Sequence, residues 1–242
     1  MHITYGQPHF SGNPVYEERL DNCGKSGTGR EGEPELWKFD MHVHSTYSGD
    51  SLNEPETIIA SYRKTGVIPL VCDHNTTAGS ASVSHAIRKS APEIPAILAE
   101  EIMTAEGEII GFFLEDLVPP YLGAAETLDI IHDQGGLALV PHPFCSFRTS
   151  SALWRDTLLG CIESVDIIEG FNARTIYPDD NLAARVFADQ FGKPISIGSD
   201  SHLPEDLGRY WVELEPFSTP RELMKSLTAG TARFPVLGKQ MD

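Results

Sequence analysis

From Leu36 onward, short runs of β-branched and apolar residues alternate with stretches of helical periodicity, and this alternation constrains the fold more than any other feature of the chain. Strands are expected over 36–43, 67–72, 96–102, 109–114, 137–140, 166–168 and 194–197, with helices over 55–65, 80–89, 124–134, 152–161, 180–191 and 220–229. Repeated strand–helix units build parallel sheets, and 242 residues suffice for one α/β barrel without a second core. Before Leu36 the chain is rich in Gly, Ser, Asn, Pro and Glu and has no apolar periodicity. Residues 1–35 therefore read as an N-terminal extension, partly irregular, and 36–242 as the folded domain. Within the extension, Gly24-Lys25-Ser26 ends like a phosphate-binding loop. Arg19 stands where the first glycine of such a loop belongs and no strand precedes it, so the run is not read as a nucleotide site.

Nearly every expected strand runs into a histidine or a carboxylate. The first ends Asp40-Met41-His42-Val43-His44, and residues two apart in an extended segment face the same side, so His42 and His44 can both offer imidazole nitrogens to one ion. The second ends Cys72-Asp73-His74-Asn75, the third contains Glu100-Glu101, the fifth ends Pro141-His142-Pro143, and the seventh ends Gly198-Ser199-Asp200-Ser201-His202. In a barrel these ends converge on the face where such folds place their active sites. Five of the nine histidines follow strands, a placement that a purely structural role does not explain, and the pattern points to metal binding. His85 and His132 lie inside helical patterns and His2 and His9 in the extension, where ordinary surface or core roles account for them.

Composition narrows the partners. A formal charge of −17 repels a long nucleic acid, although most of these acids read as solvated surface. No apolar run is long enough to span a bilayer, and residues 1–10 lack the basic start and apolar core of a secretory signal. The four cysteines, Cys23, Cys72, Cys145 and Cys161, are scattered without C-x-x-C pairing, which argues against a zinc ribbon or a disulfide framework and for a reducing cytoplasm.

The run Asp40-Met41-His42-Val43-His44-Ser45-Thr46-Tyr47-Ser48-Gly49-Asp50-Ser51, followed in order by Asp73-His74-Asn75-Thr76, Pro141-His142-Pro143 and Gly198-Ser199-Asp200-Ser201-His202, resembles the PHP family, named for polymerase and histidinol phosphatase. The resemblance covers about residues 36–235. It implies a distorted seven-stranded (β/α) barrel of TIM-like, amidohydrolase-like form. It also implies two or three divalent ions (manganese, iron or zinc) and hydrolysis of phosphate esters. By motif, His42, His44, Glu101 and Asp200 would hold one ion, with Glu101 bridging to a second bound by His142, and Asp50, His74 and His202 would hold the third. Glu101 is preferred to Glu100 because it precedes the apolar-Thr end of the family's motif, and strand alternation lets only one of the two point inward. One departure stands out. Many relatives carry a further histidine on the next strand, whereas Ile109-Ile110-Gly111-Phe112-Phe113-Leu114 has none, leaving water, substrate or a carboxylate such as Glu115 to complete the second ion's shell.

Phosphate esters resist attack because an anion repels its nucleophile; clustered cations supply hydroxide at neutral pH and neutralise the phosphoryl oxygens. Asp200 and His142 are the expected proton-handling residues, and Arg148, Arg174 and Asn172, all in segments after strands, are the expected grips on the substrate. Asn172 and Glu169 are also placed to orient ligands, with turn formation an equal account of the asparagine. The expected activity is hydrolysis of a small phosphate ester: a nucleotide, a short oligonucleotide or a phosphorylated metabolite. Two other readings stay open: cleavage of a C–N or carboxylic ester bond on the same barrel, and a non-catalytic metal-binding module.

Overall fold

The computed structural model describes residues 36–229 and 233; the extension 1–35, with Gly24-Lys25-Ser26, His2, His9 and Cys23, lies outside them. Strand β1 (Trp37–Val43) is buried on both faces over most of its length. Phe39, Met41 and Val43 enter the apolar core, while Asp40 and His42 alternate to the other side, all at most 1% exposed. β2 (Val67–Val71), β3 (Ala99–Thr104), β4 (Gly107–Phe112), β5 (Leu137–Val140), β6 (Ile167–Asn172), β7 (Ile195–Gly198) and β8 (Val212–Leu214) follow. Helices α1 (Pro55–Thr65), α2 (Ala78–Arg88), α3 (Ala124–Asp133), α4 (Arg155–Cys161), α5 (Pro178–Gln190) and α6 (Pro220–Thr228) alternate with them. Helix α1 shows how the local sequence sets an element: Pro55 opens it, and Gly66 ends it at φ 71° with its N–H on the Tyr62 carbonyl.

The strands form two sheets, β2-β1-β8 and β3-β4-β5-β6-β7. The chain is α/β as expected, but the sheets are mixed rather than wholly parallel. β1/β2, β5/β6 and β6/β7 pair parallel, whereas β3/β4, β4/β5 and β1/β8 pair antiparallel. The cause at β3/β4 is the length of the connection: only Ala105 and Glu106 separate the strands, and a parallel return needs a crossover of about a dozen residues. Gly107 closes this hairpin at φ 130°, where a Cβ would fall 2.5 Å from the Leu153 Cα. The short edge strand β8 was not foreseen, and β6 runs on through Glu169 to Asn172 past a register shift. The two sheets meet at isolated parallel bridges, Val43 with Ser201 and His74 with Glu101.

Two apolar clusters hold this frame. One gathers Phe39, Met41, Ile58, Leu70 and Phe217 around β1, β2 and α1. The other packs Ile102, Ile109, Leu128, Ile131, Leu158 and Phe187 between the five-stranded sheet and α3 to α5. No helix among the described residues is long and apolar enough to cross a membrane.

Candidate metal centre

At the carboxyl end of β1, His42 and His44 are buried with their Nε2 atoms 3.0 Å apart. Their other nitrogens settle the tautomers. His42 Nδ1 lies 3.0 Å from Glu169 Oε1, a carboxylate that can only accept, so Nδ1 carries the proton. His44 Nδ1 lies 2.8 Å from Ser48 Oγ, whose own proton goes to Asp73 Oδ1 at 2.8 Å, so this Nδ1 also donates. With Nδ1 of each ring engaged, the two Nε2 atoms face each other in a buried space, an arrangement that a shared cation satisfies.

The carboxylates around them repeat the geometry. Glu101 Oε2 is 3.4 Å from His42 Nε2 and 3.1 Å from His44 Nε2, and Asp200 Oδ1 is 3.7 and 3.4 Å from the same two atoms. Ligands about 2.1 Å from one ion lie roughly 3.0–3.4 Å from each other, a spacing that every pair but His42 with Asp200 matches. Glu101 Oε2 and Asp200 Oδ1 have no hydrogen-bond partner although they are buried, as expected of atoms that face an ion. The second oxygen of Glu101 points elsewhere, 3.3 Å from His142 Nε2. A third group is more open: Asp50 Oδ2 lies 3.6 Å from His74 Nε2 and 3.3 Å from His202 Nε2, and Asp50 is about half exposed. Three sets of donor atoms lie close enough together for a cation, His42 with His44 and Glu101, His44 with His74 and His202, and His74 with Glu101 and Glu108, and such imidazole and carboxylate donors fit divalent cations.

Backbone conformation helps to aim these groups. His142 and Asp200 adopt left-handed conformations at φ 33° and 51°, uncommon for residues with a Cβ and typical of functional turns. Asp200 Oδ2 accepts from Asn172 Nδ2 at 3.1 Å and pairs with the Arg148 guanidinium, which leaves Oδ1 to face the histidines.

Protonation follows the same map. Burial alone would lower His44, but hydrogen bonds to Asp200 and Glu101 outweigh it and push the imidazole up to about 9. Burial would raise Glu101 and Asp200, yet His42 and the neighbouring donors hold both well below the usual carboxylate range. His202 is lowered to about 4 by burial and then by the charge of His44. The carboxylates and imidazoles are thus coupled so tightly that bound cations and bound protons compete for the same lone pairs.

Every metal-ligand position read from the sequence lies in this cluster: His42, His44, Asp50, His74, Glu101, His142, Asp200 and His202. Of the adjacent glutamates, Glu101 faces the histidines, whereas Glu100 points away and accepts from the Val118 N–H at 3.0 Å. Arg148 is engaged with Asp200, and Arg174, nearly half exposed, stands 4.0 Å from Asp200 Oδ1. Asn172 is fully buried with its amide on Glu169 and Asp200, and its Oδ1 accepts from the Arg174 N–H. Glu115 is exposed, and its backbone N–H binds the Gln134 side chain. Away from the cluster, His132 pairs with Asp166 at 2.9 Å. Cys72 and Cys145 are buried thiols, and the Cys145 N–H donates to the His142 carbonyl at 3.1 Å.

Two carboxylates escaped the sequence reading. Glu169, a general orienting residue by sequence, accepts from His42 Nδ1 at 3.0 Å and from the His142 backbone N–H at 2.7 Å. Glu108, which belongs to none of the sequence motifs, lies 3.5 Å from His142 Nε2 and 3.6 Å from His74 Nδ1, with its carboxyl pushed up to about 9 by burial and by the charge of Glu101. The signal available for Glu108 was a lone acid in the otherwise apolar run Gly107-Glu108-Ile109-Ile110.

A family model described as PHP-associated matches residues 178–232. MJ0417, an uncharacterized protein of Methanocaldococcus jannaschii, is 30% identical over 203 residues, covering 80% of each chain. Among solved structures, a two-domain protein of Bacteroides vulgatus, described as containing a PHP-like metal-dependent phosphoesterase, superposes with a TM-score of 0.60 at 18% identity, over 86% of this chain and 70% of its own. A Bifidobacterium adolescentis protein assigned as a metal-dependent phosphoesterase gives 0.58 at 16% identity, over 81% of this chain and 97% of its own.

Proposed function

Because the chain belongs to the PHP family, we propose that it is a metal-dependent phosphoesterase acting on a small phosphate ester: a nucleotide, a short oligonucleotide or a phosphorylated metabolite. The observation that carries this reading is the pair of buried Nε2 atoms of His42 and His44, 3.0 Å apart and ringed by Glu101 and Asp200. His42, His44, Glu101 Oε2 and Asp200 Oδ1 would hold one ion, Glu101 Oε1 and His142 a second, and Asp50, His74 and His202 a third. Manganese, iron or zinc there would lower the pKa of water toward 7 and neutralise charge on the phosphoryl oxygens.

The residues of the chain supply the rest. Glu169 and Ser48 engage Nδ1 of His42 and of His44, which turns both Nε2 atoms toward the position of the ion. Asp200 and His142 are assigned the handling of protons between attacking water and leaving group. Arg148 and Arg174 flank Asp200 and would share their remaining N–H donors with substrate oxygens, while Asn172 donates to Asp200 and Glu169. The bridges Val43–Ser201 and His74–Glu101 support reading the two sheets as arcs of one distorted barrel, with β8 appended at an edge. We assign the hydrolase domain to 36–242, with 1–35 as an appendage, and the cytoplasm as its compartment; the net charge of −17 favours small substrates over long duplexes.

The test is to load the protein with manganese, iron or zinc and assay nitrophenyl phosphate mono- and diesters and a nucleotide panel beside amides and lactones. Turnover confined to phosphate esters is the expected result. A fully loaded protein that hydrolyses only the carbonyl substrates, or nothing, would overturn the reading.

A further inference from the structure

Glu108 is the second residue of a strand buried along its whole length, and it is 3% exposed. A carboxylate in such a place costs several kcal/mol unless it is paired or coordinates a metal. Among the described residues its ion-pair contacts are two imidazoles, His142 Nε2 at 3.5 Å to Oε2 and His74 Nδ1 at 3.6 Å to Oε1, and Oε2 has no hydrogen-bond partner. Its like-charged neighbour Glu101 turns Oε1 toward the same His142 Nε2, at 3.3 Å. The position is rigidly built. Glu108 N–H donates to the Ser151 carbonyl at 2.7 Å, the Thr104 hydroxyl to the Gly107 carbonyl at 2.6 Å, and Gly107 is packed against Leu153.

We propose that Glu108 is a direct ligand of the second ion, completing a set of Glu101 Oε1, Glu108 Oε2 and His142 Nε2, and that this oxygen-rich set biases the position toward manganese and against zinc. The proposal rests on the metal-dependent reading above. The antiparallel hairpin brings this carboxylate, from the second residue of β4, to the same centre as Glu101 and His142. Replacing imidazole by carboxylate hardens the donor set, and harder oxygen donors suit manganese while imidazole suits zinc.

The test counts ions by elemental analysis in protein reconstituted with manganese, zinc, or both in competition. Glu108→Gln should bind one ion fewer per chain than the wild type. Glu108→His should keep the wild-type count but shift the zinc-to-manganese ratio by about tenfold or more. An unchanged count in Glu108→Gln together with an unchanged ratio in Glu108→His overturns the proposal and leaves the parent reading intact. Wild-type protein that takes up no ion overturns both. Should Glu108→Gln fail to fold, anomalous scattering from manganese-loaded wild type decides: an ion about 2.2 Å from a Glu108 oxygen supports the assignment, and ions confined to other positions refute it.

Discussion

Glu100 and Glu101 are neighbours on β3 and both are buried, yet they occupy opposite electrostatic worlds. Glu101 turns toward four imidazoles, with His44 and His74 both 3.1 Å from Oε2, and is held ionised. Glu100 turns to the other face, accepts one backbone N–H from Val118, leaves Oε1 without a partner, and is pushed up to about 7 by burial. Burial is common to the two, so burial alone does not make a carboxylate functional. The single-residue alternation of a strand does, because it decides which of two like side chains meets the groups that can keep it charged.

The largest effect expected on the Glu101 face comes from stripping the ions. Ions present far above their dissociation constants stabilise by about 4 kcal/mol each, so chelation should lower Tm by on the order of 10 °C for each ion removed and abolish turnover. A chelated protein that melts where the loaded one does would erase the contrast between the two faces. Next, Asp200→Asn removes a negative charge from the centre and should lower kcat about 1,000-fold with circular dichroism unchanged. Full activity in that variant would remove Asp200 from the centre. Glu169→Gln acts through His42 and should weaken metal affinity by about 10- to 100-fold, read by competition with a chelating dye; unaltered affinity would mean that Glu169 serves the fold alone.

The smallest effect belongs to the Glu100 face and depends on pH. Its carboxyl takes up a proton near pH 7 when folded and near 4.5 otherwise, so the folded state binds more protons between those values. Stability from this group is therefore full below about pH 4.5 and falls as pH rises to about 7, a loss on the order of 2 kcal/mol after solvent screening. Glu100→Gln should flatten that slope in urea titrations at several pH values and leave kcat untouched. A slope that survives the substitution would assign it to other groups.

Much of the centre is legible along the chain because each strand reports locally on its own end. The run Asp40-Met41-His42-Val43-His44 announces two imidazoles on one side, and the polar residues that follow β2, β5 and β7 announce their partners. Less of the topology is legible. The two-residue link Ala105-Glu106 makes an antiparallel hairpin where repeated parallel units were expected, and with it comes Glu108, hidden in an apolar run. Glu169 was visible as a carboxylate but not as the partner of a histidine 127 residues away.

The sequence by itself determined the inventory of donors and, through the two-residue period of extended chain, the side on which each one leaves its strand. Only the tertiary structure decided which donors share a centre and which oxygen of Glu101 faces which imidazole. It alone brought Glu108 within 3.6 Å of His142 and His74. The physical reason is that coordination is a matter of distances within a few tenths of an ångström between groups remote along the chain. Such distances are set by strand register, hairpin length and core packing together, none of which any local stretch encodes alone.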